Sequence, residues 1–391
     1  MDRVLCFVIA YCFTSMKLKQ LPTDFIVEEI PNIRVTQEID DQTIFLLEKK
    51  EIDTYNAINS IAKKLHIPLS EIGYAGLKDK HALTRQYISI PTHYKVQNTK
   101  IDALNIQLVG YHRKKIKIGD LKGNRFTIIV HDIKNSELDD VFEIAETISR
   151  SGVPNYFDSQ RFGSVIKEEF IAKHVIKKDY EQAVKLYLTA SFESEPRRIK
   201  DEKSKILAGW NDLNNMSGGG KVFAIIIKEY LRTNSWLAAY KKIPANLRKM
   251  FVNAYQSYIW NECIKEVLKT CVDGKKLYSI DYAAGSLTFY ETLLENEIQQ
   301  IPLTFRTVSD TAIFSDFEKQ IIDFVLLNQG IRLVDLNIES ETGNFFKSQA
   351  RPIIVIPENF FISNPVKDEL NDIERSSKFE IEVSFSLPKG S

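Results

Sequence analysis

Apolar and polar positions along this 391-residue chain alternate in two textures. Between residues 25 and 130, short runs rich in β-branched and aromatic residues recur with partial period-two alternation. They fall at 25–29, 43–48, 86–90, 106–111 and 125–130. That spacing predicts half-buried strands. One stretch among them keeps a different period. Ala57, Ile58, Ile61, Ala62 and Leu65 recur at i, i+3 and i+4 behind Asp53, which predicts a helix over 54–65 with Asp53 as its N-cap. After about Gly163 longer helical segments take over, at 180–188, 222–231 and 247–268. The last places Phe251, Tyr255, Tyr258, Ile259 and Cys263 on one side, a buried stripe. Strand character returns at 353–356 and 379–385. A β-rich start, a helical middle and a β-rich tail predict an α+β protein in which one domain is inserted into another, rather than a doubly wound parallel sheet.

Charge changes this picture little in sum and more in distribution. Fifty-two Lys and Arg balance 52 Asp and Glu, yet the basic residues gather at 112–117, 197–200, 241–242 and 248–249, with acidic groups elsewhere. One basic face on a neutral molecule, suited to phosphates, is compatible with that arrangement. The longest apolar run, 4–13, has about half the length of a membrane span. It could also be read as a signal-peptide core, but it lacks a small-x-small cleavage site, and Met16-Lys17-Leu18-Lys19 reads like a natural start, leaving 1–15 as an extension. Cys6, Cys12, Cys263 and Cys271 show neither C-x-x-C pairing nor zinc-ligand spacing, and are expected to be reduced thiols. Ser217-Gly218-Gly219-Gly220-Lys221 lacks the spacing of a phosphate-binding loop and reads as a flexible loop.

The segment with the most chemistry is Gly73-Tyr74-Ala75-Gly76-Leu77-Lys78-Asp79-Lys80-His81-Ala82-Leu83-Thr84-Arg85-Gln86. Two glycines permit a tight turn with close backbone approach, and a carboxylate follows between lysines that favour its ionised form. A positioned carboxylate suits covalent catalysis at a sugar carbon, although an aspartate in a glycine-rich turn is, by itself, more often structural.

This segment resembles the catalytic-aspartate motif of the TruD family of tRNA pseudouridine synthases, in the pattern G-x-A-G-x-K-D-x-x-A-x-T-x-Q. Further stretches match in the family's order: Lys19 with Asp24-Phe25-Ile26-Val27-Glu28-Glu29, then Leu121-Lys122-Gly123-Asn124-Arg125-Phe126, then Gly152-Val153-Pro154-Asn155-Tyr156-Phe157 with Gln160-Arg161-Phe162-Gly163, and Asn253-Ala254-Tyr255-Gln256-Ser257-Tyr258. The resemblance implies a pseudouridine-synthase-type catalytic domain with a mixed sheet, at 16–158 and 351–391, interrupted by a more helical insertion at 159–350. It implies a cytoplasmic, monomeric isomerase that needs no cofactor, metal or membrane and acts on tRNA, at uridine 13 of the D arm. Asp79 would be the essential carboxylate. Phe25 and Phe126 would contact the flipped-out base, Asn124 would hydrogen-bond it, and Lys19 and Lys78 would bias Asp79 toward ionisation, meet phosphate or stand in solvent. Two departures stand out: Asp158 replaces a customary glycine, and the closing motif at 385–391 lacks its usual aromatic-Ala-Thr continuation. An RNA-binding protein without catalysis, or a glycoside hydrolase with Glu29 as second carboxylate, are the competing readings.

Overall fold

The structure is a computed structural model that describes residues 16–165, 169–191, 195–215, 220–372 and 377–391. The apolar run at 4–13, Cys6, Cys12 and residues 216–219 of the glycine-rich stretch lie outside the described residues. The chain divides into two compact units. One combines 16–153 with Val355–Ser391, and the other is Pro154–Ile354.

The first unit is built on an 11-stranded sheet. Its strands, numbered along the chain, are β1 (Lys17–Leu18), β2 (Phe25–Pro31), β3 (Gln42–Lys50), β4 (Gly73–Tyr74), β5 (Leu83–Pro91), β6 (Thr99–Ile101), β7 (Leu104–His112), β8 (Leu121–Lys134), β9 (Glu358–Ile362), β10 (Val366–Lys367) and β11 (Lys378–Pro388). The order is β9-β11-β8-β2-β5-β3-β7-β6, with β1 on β8, β10 on β11 and β4 on β5. β2 and β5 run parallel, with Val27 opposite Thr84, and the other pairings described are antiparallel. The sheet is therefore mixed, as the resemblance implies for this domain.

Helix α1 (Thr54–Leu65) covers one face of the sheet. Asp53 caps it by accepting from the Asn56 amide at 2.9 Å, and His66 closes it in the left-handed region. Its stripe of Ala57, Ile58 and Ile61 packs with Phe45, Leu47, Ile88, Ile90 and Ile106. Burying that many aliphatic side chains at about 1.5–3 kcal/mol each fixes the helix on the sheet.

β8 is longer than the pattern at 125–130 suggests, because Gly123 and Asn124 are already extended strand. Gly123 lies opposite Pro388, and a Cβ there would stand 2.1 Å from the Leu387 carbonyl oxygen. Glycine is required by that close backbone approach. Of the strand expected at 353–356, Ile354–Val355 is formed, and a further short strand, Ala350–Pro352, precedes it and pairs with Thr304–Arg306.

The second unit is mainly helical. Its helix Ala245–Cys271 buries more than the expected stripe. Phe251, Tyr255, Ile259 and Cys263 are inside, but so are Val252, Ala254, Trp260, Asn261, Ile264, Val267 and Leu268, while Tyr258 is only half-buried. The helix is central rather than amphipathic, which a one-sided stripe does not anticipate. Asn261 pays for its burial by bonding both backbone groups of Phe157, accepting from its N–H at 2.9 Å and donating to its carbonyl at 2.9 Å. Asp158, in the customary glycine position, has an ordinary extended φ of −83° and accepts from the Gln160 amide at 3.0 Å, capping the short helix Ser159–Phe162. No left-handed residue is needed there. Among the described residues, no helix is long and apolar enough to cross a membrane.

Candidate active site

Asp79 lies on the irregular turn between β4 and β5, and its side chain is 17% exposed. Neighbouring elements hold this turn from within the core. The Thr54 hydroxyl, at the first position of α1, accepts from the Lys78 amide at 2.9 Å and donates to Gln86 Oε1 at 3.0 Å. Gln86 Nε2, on β5, donates to the Gly76 carbonyl at 3.3 Å. From the end of β3, Lys49 Nζ donates to the Asp79 carbonyl at 2.7 Å and to the Ile52 carbonyl at 2.7 Å. Thr54, Gln86 and Lys49 are all buried. A buried network with each donor and acceptor used leaves the backbone at Asp79 little freedom. Of the two glycines, Gly73 is the one that the packing demands, since a Cβ there would stand 2.4 Å from Ser89 Oγ. At Gly76 the nearest contact would be an ordinary 3.7 Å.

The carboxylate is met from two directions. Lys19 Nζ lies 2.9 Å from Oδ2, and the His81 amide donates to Oδ1 at 3.2 Å. Both contacts stabilise negative charge on Asp79. Lys19 itself has φ of 57°, a left-handed conformation that costs a non-glycine residue strain. Its ammonium also stands 3.5 Å from the centroid of the Phe25 ring, within cation–π range. The turn after Lys19 is fixed by Asp24, whose carboxylate accepts from the Leu21 amide at 2.6 Å.

Lys78 departs from expectation. Its ammonium is 2.8 Å from Glu29 Oε2, and both side chains are buried, at 4% and 1% exposure. It is neither solvated nor placed to meet a phosphate, and its direct ion pair is with Glu29 rather than Asp79. Burial raises the Glu29 carboxyl above the usual range, and the Lys78 charge pulls it back. A glutamate committed in this way is poorly suited to serve as the second carboxylate of a glycoside hydrolase. Lys49 was not foreseen. Burial pushes its ammonium down to about 8, against the attraction of Asp79. A lysine at the polar end of an alternating strand carries no sequence signal of its inward direction.

Phe25 and Phe126 are wholly buried. Their centroids are 6.3 Å apart, and Phe385 lies 5.3 Å beyond Phe126. In this state neither ring offers a face to solvent. Asn124 sits on β8 opposite Glu29 on β2 and Leu387 on β11. Its Oδ1 is buried without a hydrogen-bond partner, an unusual cost for a native protein.

The one grouping that could bind a metal among the described residues is His131, Asp368 and Glu380. His131 Nδ1 is 3.4 Å from Asp368 Oδ1 and 3.1 Å from Glu380 Oε2, while Nε2 is 3.3 Å from Asp24. Asp368 already accepts from the amides of Asp132, Leu370 and Asn371. Those bonds occupy Asp368, whereas neither ring nitrogen of buried His131 makes a hydrogen bond in this geometry.

A family model described as tRNA pseudouridine synthase D (TruD) matches residues 4–391. A Methanocaldococcus jannaschii protein named "Probable tRNA pseudouridine synthase D 2" is 40% identical, over 97% of this chain and 90% of its own length. The Aquifex aeolicus tRNA pseudouridine synthase D is 30% identical over 96% of each chain. A Methanosarcina mazei crystal structure described as a TruD protein superposes with a TM-score of 0.72 at 26% identity, covering 96% of this chain and 91% of that one. The mixed sheet with a helical second unit is thus the fold of that structure. With the aspartate turn, its lysine partner and the whole-chain match in agreement, the chain belongs to the TruD family of pseudouridine synthases, enzymes of the isomerase class.

Proposed function

We propose that the chain converts a uridine of tRNA, at position 13 of the D arm, to pseudouridine, with the sheet-based unit as catalytic domain and Pro154–Ile354 as its insertion. The carrying observation is the Lys19–Asp79 pair at 2.9 Å on a turn pinned by Thr54, Gln86 and Lys49. The reaction breaks the bond from N1 to C1′, turns the uracil and joins C5 to C1′. The C5 proton leaves and N1 gains one, so composition is unchanged and no redox equivalent is consumed. Asp79 supplies the carboxylate, either attacking C1′ or removing a proton at C2′. Lys19 holds it charged and aimed. Asn124 Oδ1, buried without a partner, would be satisfied by the N3–H of uracil. Phe25 and Phe126, both buried, back the site, with the Lys19 ammonium 3.5 Å from the Phe25 ring centroid. The reading is supported by the names of the relatives, which specify tRNA. It is tested by mapping pseudouridine in tRNA from cells with and without this protein. Loss of the signal at position 13 is expected, and an unchanged signal there would contradict the assignment.

A further inference from the structure

The second unit holds a cavity of about 310 Å³ that the catalytic reading leaves unused. Three cations line it, Arg161, Lys249 and Lys347, and among the described residues no carboxylate is part of the lining, although Asp158 attracts Arg161 from nearby. Charge of one sign in a concavity concentrates an anion there. Behind it, Arg351 is buried and donates to the Asn155 carbonyl at 2.8 Å. Its guanidinium lies 4.2 Å from the centroid of Phe157, whose ring Arg161 also approaches at 5.2 Å. Burial, and then repulsion from Arg161, pushes Arg351 down to about 9. An incoming negative charge relieves that repulsion.

The rest of the lining suits a base. Phe345 is 54% exposed, an aromatic ring with room for a stacking partner. Asn253 and Gln256 bring amides to the wall, and Gln256 is fixed by donating to the Val308 carbonyl at 2.7 Å and the Lys347 carbonyl at 3.1 Å. The volume is at the lower end for small-ligand sites, enough for one nucleotide and too little for a duplex. Aromatic stacking, amide contacts and phosphate-facing cations are the means by which proteins hold unstacked bases of RNA.

We propose that this cavity is a second RNA subsite, holding one unstacked nucleotide of the substrate other than the target uridine, its phosphate against Arg161, Lys249 and Lys347 and its base against Phe345. The proposal rests on RNA being the substrate. A free nucleoside monophosphate shares the same chemistry, so the test separates the two sources.

Equilibrium binding of the tRNA substrate to the full chain would be measured over a range of salt, with UMP and AMP titrated separately. Lys249→Gln with Lys347→Gln should weaken tRNA binding about tenfold and reduce the slope of log K against log salt by about one to two. Phe345→Ala should weaken binding by a similar factor with the slope unchanged, because stacking releases no counterions. Lys249→Arg with Lys347→Arg should restore both affinity and slope, which a folding defect would not allow. Unchanged tRNA affinity in the double Gln variant and in Phe345→Ala would overturn the proposal. So would mononucleotide binding that these variants abolish while tRNA affinity stays the same. Failure of the functional reading would be seen separately, as absence of pseudouridine formation by the unaltered chain.

Discussion

The two basic regions of this protein use positive charge in opposite ways. Around Asp79 three lysines are matched: Lys19 to Asp79, Lys78 to Glu29, and Lys49 to backbone carbonyls. In the cavity of the second unit, Arg161, Lys249 and Lys347 face a common space with no carboxylate among the described lining residues. Matched, buried charges set geometry and are costly to disturb. Solvent-facing ones contribute little to folding and much to the attraction of an anion. On the proposed readings, the first arrangement serves chemistry and the second serves affinity.

The comparison is broken most directly through stability. Lys78→Met removes one member of the buried pair and leaves Glu29 uncompensated. It should cost about 3–5 kcal/mol, read as a lower denaturation midpoint, and adding Glu29→Gln should recover much of the loss. Lys249→Gln should change stability by no more than about 0.5 kcal/mol. Equal costs at the two positions would erase the distinction.

Lys49 sharpens the same point through pH. Its ammonium is held at about 8 in the folded chain, against 10.5 ordinarily. Between those values the unfolded chain keeps a proton that the folded chain has released, so rising pH favours folding. The stability of the unaltered chain relative to Lys49→Met should therefore increase from pH 8 to 10.5, by about 3 kcal/mol at most. A flat difference would mean that Lys49 is not constrained in this way.

Removing the partner of the carboxylate tests chemistry rather than folding. Lys19→Gln should lower the single-turnover rate about a hundredfold, near 2.7 kcal/mol of barrier, with little loss of stability. A rate within twofold of the unaltered chain would exclude Lys19 from positioning Asp79. At the small end, exhaustive chelation should alter turnover less than twofold, because the described site offers no ion a role. Lost activity that returns on adding metal, with tRNA folding controlled, would contradict that.

Much of this was legible in the sequence because the signals are local. Period-two alternation marks β2, β3, β5, β7 and β11, and Asp53 with an apolar stripe marks α1 to the residue. The family resemblance, not a local pattern, named Lys19 as one candidate partner of Asp79, and the two are in contact although 60 residues separate them. What was not legible depends on tertiary neighbours. The demand for glycine at 123 comes from the Leu387 carbonyl on the neighbouring strand. Lys78 reads as Asp79's companion until Glu29, on the parallel strand, takes its ammonium. Lys49 looks solvated until its strand end is buried beneath the turn it holds. The cavity joins residues from 157 to 349, which no local pattern can assemble.

The central claim, that Asp79 carries out the isomerisation, is tested most directly by tritium release from tRNA labelled at uridine C5, since forming the new bond expels that hydrogen. Under single-turnover conditions at saturating enzyme, the unaltered chain should release the label from one uridine per tRNA. Asp79→Asn, which keeps the shape of the side chain, should bind tRNA within about twofold and release label at least a thousandfold more slowly. Release by Asp79→Asn at a rate near that of the unaltered chain would contradict the account.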